Sequence, residues 1–286
     1  MEWKRKSHAE VKQRVFEALN NNVNYRNGSV LGIPGTYLDS KVFSEEFSFV
    51  REAPYLSTLV QNPNHIGCHT LGDSETYFEG TQLLEREVIR ICSENILKAK
   101  PDSIDGYVAA GGTEANLQAI WIYRNYFLEE HGASLSELAI ICSEDSHYSM
   151  QNAGNVFQVT CLRLPVRTEN RKIDRRVAEK KLLALREQGV KYAIVVSNMM
   201  TTMFGSIDDV DDYAELMTRC GFEFKLHVDA AYGGFYAPIV DEKNPVNFEH
   251  PLVNSFTMDA HKLLQAPYGT GIFLIRKDWM KYTHTD

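Results

Sequence analysis

The chain has 286 residues, of which 44% are hydrophobic and 24% are charged, so it can bury the core of one large domain or two modest ones. Its 30 Lys and Arg residues against 38 Asp and Glu residues give a formal charge of −8 without a basic run, which argues against nucleic-acid binding. No stretch approaches the ~20 consecutive apolar residues of a membrane span, and the polar start does not resemble a signal peptide. We therefore expect a soluble, cytoplasmic protein that binds neither nucleic acid nor membrane.

The cysteines indicate neither a disulfide framework nor a zinc site. There are five, an odd number, and no two of them form a Cys-x-x-Cys pair. We expect most of them to be buried thiols, and we expect no metal. The residues are Cys68, Cys92, Cys142, Cys161 and Cys220.

The N-terminal part of the chain predicts one helix followed by loops. Ser7 and Glu10 have the spacing of a capping box, and a helical pattern of apolar residues continues to Leu19. Frequent glycines and prolines then predict irregular structure as far as residue 78, with room for a short helix at 43–50. We interpret residues 1–78 as an N-terminal arm and a loop-rich segment.

From residue 79 onward, helical and strand patterns alternate. Helices are predicted at 83–97, 113–129, 174–188 and 209–220. Strands are predicted at 107–109, 138–142, 158–164, 192–196, 224–228, 254–258 and 271–276. This succession predicts an α/β fold with a largely parallel sheet and helices on both faces, which we assign to a single domain over residues 79–286.

A glycine-rich segment, residues 111–116, lies between the strand at 107–109 and the next helix. Two glycines and the Thr113 hydroxyl would stand at the helix N-terminus, where unpaired N–H groups and the helix dipole favour a phosphate. The structural alternative is an ordinary helix cap in which Thr113 bonds its own backbone. The segment therefore predicts an anion site only in combination with other signals.

Three further polar side chains follow predicted strands: His147 after 138–142, Asp229 after 224–228, and Lys262 after 254–258. Ligands of open α/β sheets bind at this end of the strands. A buried carboxylate needs a cation or donors, which a protonated pyridine nitrogen supplies, and a lysine amine can form a Schiff base with an aldehyde. Taken singly, each residue has a structural alternative: a turn cap, a structural histidine or a solvated lysine. Together with the phosphate cradle they describe a pyridoxal-phosphate site.

Four segments, in the same order, resemble the group II amino-acid decarboxylases of the fold-type I pyridoxal-phosphate superfamily. The resemblance extends over roughly residues 60 to 276. It implies a fold-type I large domain, pyridoxal 5'-phosphate as the cofactor, and a homodimer. The segments are residues 111–116, 143–149, 227–238 and 259–271.

The resemblance implies catalytic roles for three residues. Lys262 would form the internal aldimine with the cofactor. His147 would stack on the cofactor ring, and Asp229 would pair with the pyridine nitrogen. The reaction implied is decarboxylation of an L-amino acid to an amine and carbon dioxide.

The resemblance also implies five further cofactor contacts. Gly112, Thr113 and His261 would serve the phosphate. Ala231 would pack against the ring, and Thr202 would lie near it, although the family often has glycine where Met199 or Met200 stands in this chain.

The chain departs from the family pattern after the lysine. Fold-type I enzymes usually continue into a C-terminal small domain, and the family's mobile loop with a catalytic tyrosine would also lie beyond Asp286. We therefore expect a fragment that lacks the small domain and turns over poorly. Contacts that orient the substrate would come from residues 61–81 and a partner subunit, with Asn64, His65, His69 and Thr70 as candidates.

Two alternative functions remain open from the sequence. The segments around Asp229 and Lys262 are also similar to the sphingosine-phosphate-lyase branch, which cleaves a carbon–carbon bond. The second alternative is a catalytically silent binding module with a pyridoxal-phosphate fold. A silent module has no physical need of a buried amine beside a buried acid, which disfavours it. The substrate amino acid is not determined by the sequence.

Overall fold

The computed structural model describes residues 4–24, 78–240 and 246–283. The chain divides into two compact units, Met1–Val88 and Ile89–Asp286. The predicted loops up to residue 77, the predicted short helix at 43–50, and the four candidate substrate contacts from Asn64 to Thr70 lie outside the described residues.

The first unit contains helix α1, His8–Asn20, and most of helix α2, Glu79–Arg90. The predicted capping box at the start of α1 is confirmed: Ser7 Oγ accepts the Glu10 N–H at 3.2 Å, and Glu10 Oε2 accepts the Ser7 N–H at 2.6 Å. Asn22, just after α1, accepts the Thr81 N–H at 3.2 Å. Short polar contacts thus fix the ends of both helices.

The second unit is built on a seven-stranded sheet with the strand order β1-β7-β6-β5-β4-β2-β3. Only β7 is antiparallel to its neighbours, so the expected largely parallel α/β sheet is confirmed. The strands are β1 Ile104–Ala109, β2 Leu138–Ser143, β3 Thr160–Leu164, β4 Tyr192–Asn198, β5 Glu223–Ala230, β6 Val253–Asp259 and β7 Gly271–Arg276.

Helices cover both faces of this sheet. They are α3 Gly112–His131, α4 Ser149–Phe157, α5 Arg175–Glu187, α6 Val210–Arg219 and the short α7 Ala237–Val240. A π-helical turn, Ile91–Ile96, continues α2, and two 3-10 turns span Leu135–Glu137 and Trp279–Thr283.

The core has two layers, one on each side of the sheet. On β2, Ile140 packs into the layer that contains residues of α3 and α4, whereas its neighbour Ile141 packs into the layer that contains residues of α5 and α6. Both side chains are fully buried. A strand buried on both faces reads as a continuous apolar run, which is why these strands were recognisable in the sequence.

Helix α4 was not predicted. Its buried residues are Ser149, Met150, Ala153 and Gly154, of which only Met150 is a large apolar residue, so the apolar signal of the helix is weak. The predicted helix at 83–97 also differs, because its last turn is π-helical.

Two further findings concern the whole described chain. None of the helices that the structure describes is long and apolar enough to cross a membrane. Cys92, Cys142 and Cys220 are buried free thiols and Cys161 is a half-buried one, while Cys68 lies outside the described residues.

Candidate active site

A cavity of about 420 Å³ opens at the C-terminal edge of the parallel strands. Its walls come from the N-terminus of α3 and from the segments that follow β2, β4, β5 and β6. All eight residues selected from the sequence line this one cavity. They are Gly112, Thr113, His147, Thr202, Asp229, Ala231, His261 and Lys262.

The N-terminus of α3 forms one wall of the cavity. The first bond of the helical pattern joins the Ala115 N–H to the Gly111 carbonyl at 3.2 Å. The N–H groups of Gly112, Thr113 and Glu114 therefore have no partner within the helix. No side chain of the described chain caps this helix, so Thr113 is not the cap that the structural alternative required. A Cβ at Gly112 would lie 2.8 Å from Asp259 Oδ2, which explains the need for glycine.

Asp229 is the last residue but one of β5 and is 8% exposed. Its Oδ2 accepts a hydrogen bond from Asn116 Nδ2 at 2.9 Å, and its Oδ1 accepts one from the Ala231 N–H at 3.1 Å. These two donors fix the orientation of the buried carboxyl group. Each oxygen retains accepting capacity for a donor in the cavity.

Lys262 lies beside a second buried acid, which the sequence reasoning missed. Lys262 Nζ lies 3.1 Å from Asp259 Oδ2, and His261 Nε2 lies 3.6 Å from the same oxygen. Burial raises the pKa of Asp259, and the nearby lysine opposes that rise. The position of Asp259 three residues before Lys262, at the end of a strand, was the available signal.

His147 lies in the turn between β2 and α4. Its Nδ1 accepts the Ser149 N–H at 3.3 Å and lies 2.9 Å from Ser149 Oγ. Burial lowers the pKa of His147, Asp229 opposes that shift, and Lys262 adds to it. The neutral ring therefore carries its proton on Nε2.

Thr202 is exposed in the turn that follows β4. The turn is anchored at its base by Asn198, whose Nδ2 donates to Asp208 Oδ2 at 2.6 Å and to Ser146 Oγ at 2.8 Å. Burial raises the pKa of Asp208 to about 6. Asn198 thus joins the Thr202 turn to the turn that carries His147, and neither Asn198 nor Asp208 was selected from the sequence.

The family model for the pyridoxal-dependent decarboxylase conserved domain matches residues 84–284. The chain belongs to the pyridoxal-dependent decarboxylase family. Pyridoxal 5'-phosphate is therefore its cofactor, and amino-acid decarboxylation is the chemistry of its relatives.

Three individual proteins show how far the similarity extends. The chain is 45% identical to tryptophan decarboxylase of Clostridium sporogenes over 283 residues, which cover 99% of this chain and 68% of that protein. Glutamate decarboxylase of Lactobacillus brevis has the same fold, with a TM-score of 0.63, 19% identity, and coverage of 99% of this chain and 61% of that one. Sphingosine-1-phosphate lyase of Burkholderia pseudomallei also has this fold, with a TM-score of 0.60 and 16% identity. The match covers 99% of this chain and 62% of that one. The chain thus spans about two thirds of the length of these proteins.

Proposed function

We propose that this chain carries the cofactor site of an enzyme that decarboxylates an aromatic L-amino acid, with tryptophan as the first candidate. One observation carries the proposal: a buried carboxylate with two donors, a lysine amine and an open helix N-terminus line a single cavity. We further propose that residues 79–286 form the cofactor-binding domain.

The residues present fit pyridoxal phosphate. The cavity, about 420 Å³, lies in the range of small-molecule sites. Two buried polar atoms that face no partner among the described residues, Asp259 Oδ1 and His261 Nδ1, lie on residues of its wall. Glycine at position 112 lets the N-terminus of α3, where an anion can bind, pack closely against Asp259 and Ala231. Amine, carboxylate and anion site are thus the three groups that the cofactor requires.

Each group has a defined task in this proposal. The α3 N-terminus, with Thr113, would hold the phosphate, and Lys262 Nζ would bond the aldehyde carbon. Asp259 Oδ2, 3.1 Å from that nitrogen, is placed to hold and orient the Lys262 amine. When bound, the cofactor supplies an electron sink for the bond that releases carbon dioxide.

Asp229 and His147 would act on the cofactor ring. Asp229 would hold a proton on the ring nitrogen, because a carboxylate fixed by two donors stabilises a cation beside it. The neutral His147 would cover one face of the ring, excluding water there without adding a charge that competes with Asp229.

The proposed substrate class rests on the relative and on the cavity wall. Tryptophan decarboxylase is 45% identical to this chain. Among the described residues of the wall, Tyr148, Tyr232 and Tyr268 offer aromatic surface, and no arginine is present to pair with a second substrate carboxylate. An aromatic side chain therefore suits the wall better than an acidic one.

A homodimer is part of the proposal. Apolar side chains near the cavity are unusually exposed: Tyr268 is 92% exposed, Met203 83% and Phe204 57%. Leu264, two residues after Lys262, is 55% exposed. Exposed apolar side chains of this kind are suited to burial against a second copy of the chain. A cytoplasmic location is also proposed, because the four described thiols are unpaired.

The test is a product analysis of the chain loaded with pyridoxal phosphate. We expect tryptamine and carbon dioxide from L-tryptophan in equal amounts, with lower rates for L-aspartate and L-glutamate. Borohydride should fix the cofactor on the peptide that contains Lys262, whereas in Lys277→Ala, which removes an exposed lysine, the labelling should be unchanged. Release of an aldehyde by carbon–carbon cleavage would support the lyase alternative. Bound cofactor without any product from the common amino acids would support the silent module.

A further inference from the structure

A row of buried polar side chains leads from the core to Asp229. Tyr123 Oη lies 2.5 Å from Ser255 Oγ, and Ser255 Oγ lies 2.7 Å from His227 Nδ1. His227 Nε2 lies 2.9 Å from Asn116 Oδ1, and Asn116 Nδ2 lies 2.9 Å from Asp229 Oδ2. The four residues behind Asp229 are at most 1% exposed. Because water does not reach these side chains, their polar atoms must find hydrogen-bond partners within the row.

The chemistry of the groups fixes the direction of every bond in the row. Both oxygens of Asp229 accept hydrogen bonds, so the Asn116 amide turns its NH₂ group toward Asp229 and its oxygen toward His227. Burial lowers the pKa of His227 to about 3, so the ring is neutral and carries one N–H. That N–H must be on Nε2, where Asn116 Oδ1 accepts it and Thr257 Oγ1, at 3.2 Å, can share it. Nδ1 then accepts from Ser255.

The second N–H of the Asn116 amide reaches His147. Asn116 Nδ2 lies 3.2 Å from Ser149 Oγ, which lies 2.9 Å from His147 Nδ1. Since Ser149 accepts from the amide, its own hydroxyl proton is free to point at His147. The Asn116 amide on α3 thus contacts Asp229 directly and His147 through Ser149.

We propose that Asn116 is a positioning residue that holds Asp229 directly and His147 through Ser149, and that neutral His227 fixes the orientation of the Asn116 amide. The inference rests on the proposed function, in which Asp229 and His147 act on the cofactor ring. A flipped amide would bring its oxygen against the Asp229 carboxylate and its NH₂ against the His227 N–H. Both contacts would be repulsive, so His227 and Asp229 together select one orientation.

The first test follows the histidine protons in the chain without cofactor. With ¹⁵N-labelled histidine, long-range ¹H–¹⁵N correlations should show His227 protonated on Nε2, unprotonated on Nδ1, and unchanged between pH 5 and 8. In Asn116→Leu, the acceptor for Nε2–H is lost, and we expect a mixture with the Nδ1–H form. A Nδ1–H or doubly protonated His227 in the wild-type chain would overturn the inference. This readout is independent of whether the chain binds pyridoxal phosphate.

The second test measures the affinity for pyridoxal phosphate. Asn116→Leu should raise the dissociation constant about tenfold or more, since a hydrogen bond to a charged group is lost. The matched control is Asn125→Leu, which removes another buried asparagine of α3 whose Nδ2 bonds the Tyr282 carbonyl at 2.8 Å. We expect less than a threefold change there. Equal effects of the two variants would reduce Asn116 to a structural residue.

A pair of His227 variants covers the case in which Asn116→Leu fails to fold. His227→Gln keeps an N–H for Asn116 Oδ1 and a carbonyl for Ser255, so it should stay within about threefold of the wild-type dissociation constant. His227→Leu keeps neither group and should approach the value expected for Asn116→Leu. Identical affinities for the two variants would contradict the role assigned to His227. Failure of the wild-type chain to bind pyridoxal phosphate would instead refute the proposed function and leave the histidine tautomer test standing.

Discussion

Replacing Asp229 by asparagine separates the two tasks assigned to this residue. Two donors, Asn116 Nδ2 and the Ala231 N–H, converge on its two oxygens at 2.9 and 3.1 Å. An amide has one oxygen, so Asp229→Asn must direct an NH₂ group at one of these donors. Leaving a buried donor unsatisfied costs about 1–3 kcal/mol, and we expect the free energy of unfolding without cofactor to fall by that amount.

The substitution should impair catalysis in addition to its effect on binding. Losing one hydrogen bond to a charged group, about 1.5–3 kcal/mol, raises the dissociation constant of pyridoxal phosphate roughly 10- to 150-fold. At saturating cofactor, kcat should still fall at least 100-fold, about 2.7 kcal/mol, because a neutral amide cannot hold the ring nitrogen protonated in the transition state.

Absorbance titration and carbon dioxide release measure the two quantities separately. The control is Asp211→Asn, an exposed acid on α6 that contacts His250. Wild-type turnover in Asp229→Asn at saturating cofactor would show that Asp229 is a structural cap and would refute the reasoning.

Three further predictions concern other parts of the structure. Gly112→Ala should weaken pyridoxal phosphate binding more than Gly132→Ala does, because a Cβ at Gly112 would lie 2.8 Å from Asp259 Oδ2, whereas the space around Gly132 is open. Equal binding by the two variants would contradict a phosphate site at the N-terminus of α3. The free energy of unfolding should fall as the pH drops from about 6.5 toward 4, since His227 has a pKa of about 3 in the folded chain and takes up a proton only on unfolding. In urea denaturation at a series of pH values, His227→Gln should reduce this pH dependence. An unchanged dependence would argue against a neutral buried ring. Sedimentation should show a dimer that Phe204→Glu weakens, and a wild-type monomer with tight cofactor binding would count against the homodimer.

The parts of the fold that could be predicted from the sequence are those in which burial leaves a local pattern. β2 and β4 are buried on both faces and stand out as apolar runs, whereas α4 buries only one large apolar residue, Met150, and gives a weaker signal. The direction of β7 could not be predicted, because an apolar run reads the same for either direction of the strand. That direction depends on pairing with β6, the preceding strand, and with β1, which is far away in the sequence.

The candidate site shows the same limit at the level of single residues. Asp229 and Lys262 could be selected because they lie at or just after the carboxyl ends of predicted strands, where ligands of open α/β sheets bind. Asn116 lies inside a helix and gives no such signal, although its amide bonds a carboxylate 113 positions away. His227 reads as one more residue of a strand, and its tautomer follows only from partners on α3 and β6.

The row of buried side chains also explains why the site depends on the whole sheet. Asp229 takes its orientation from α3, the Asn116 amide takes its orientation from β5, and His227 takes its tautomer from Ser255 on β6. A small shift of any one of these elements would leave at least one fully buried polar atom without a partner, which costs more than the bond itself contributes. The geometry at the cavity is therefore coupled to the packing of α3 against β5 and β6. A substitution that loosens this packing should raise the dissociation constant of pyridoxal phosphate before it unfolds the chain.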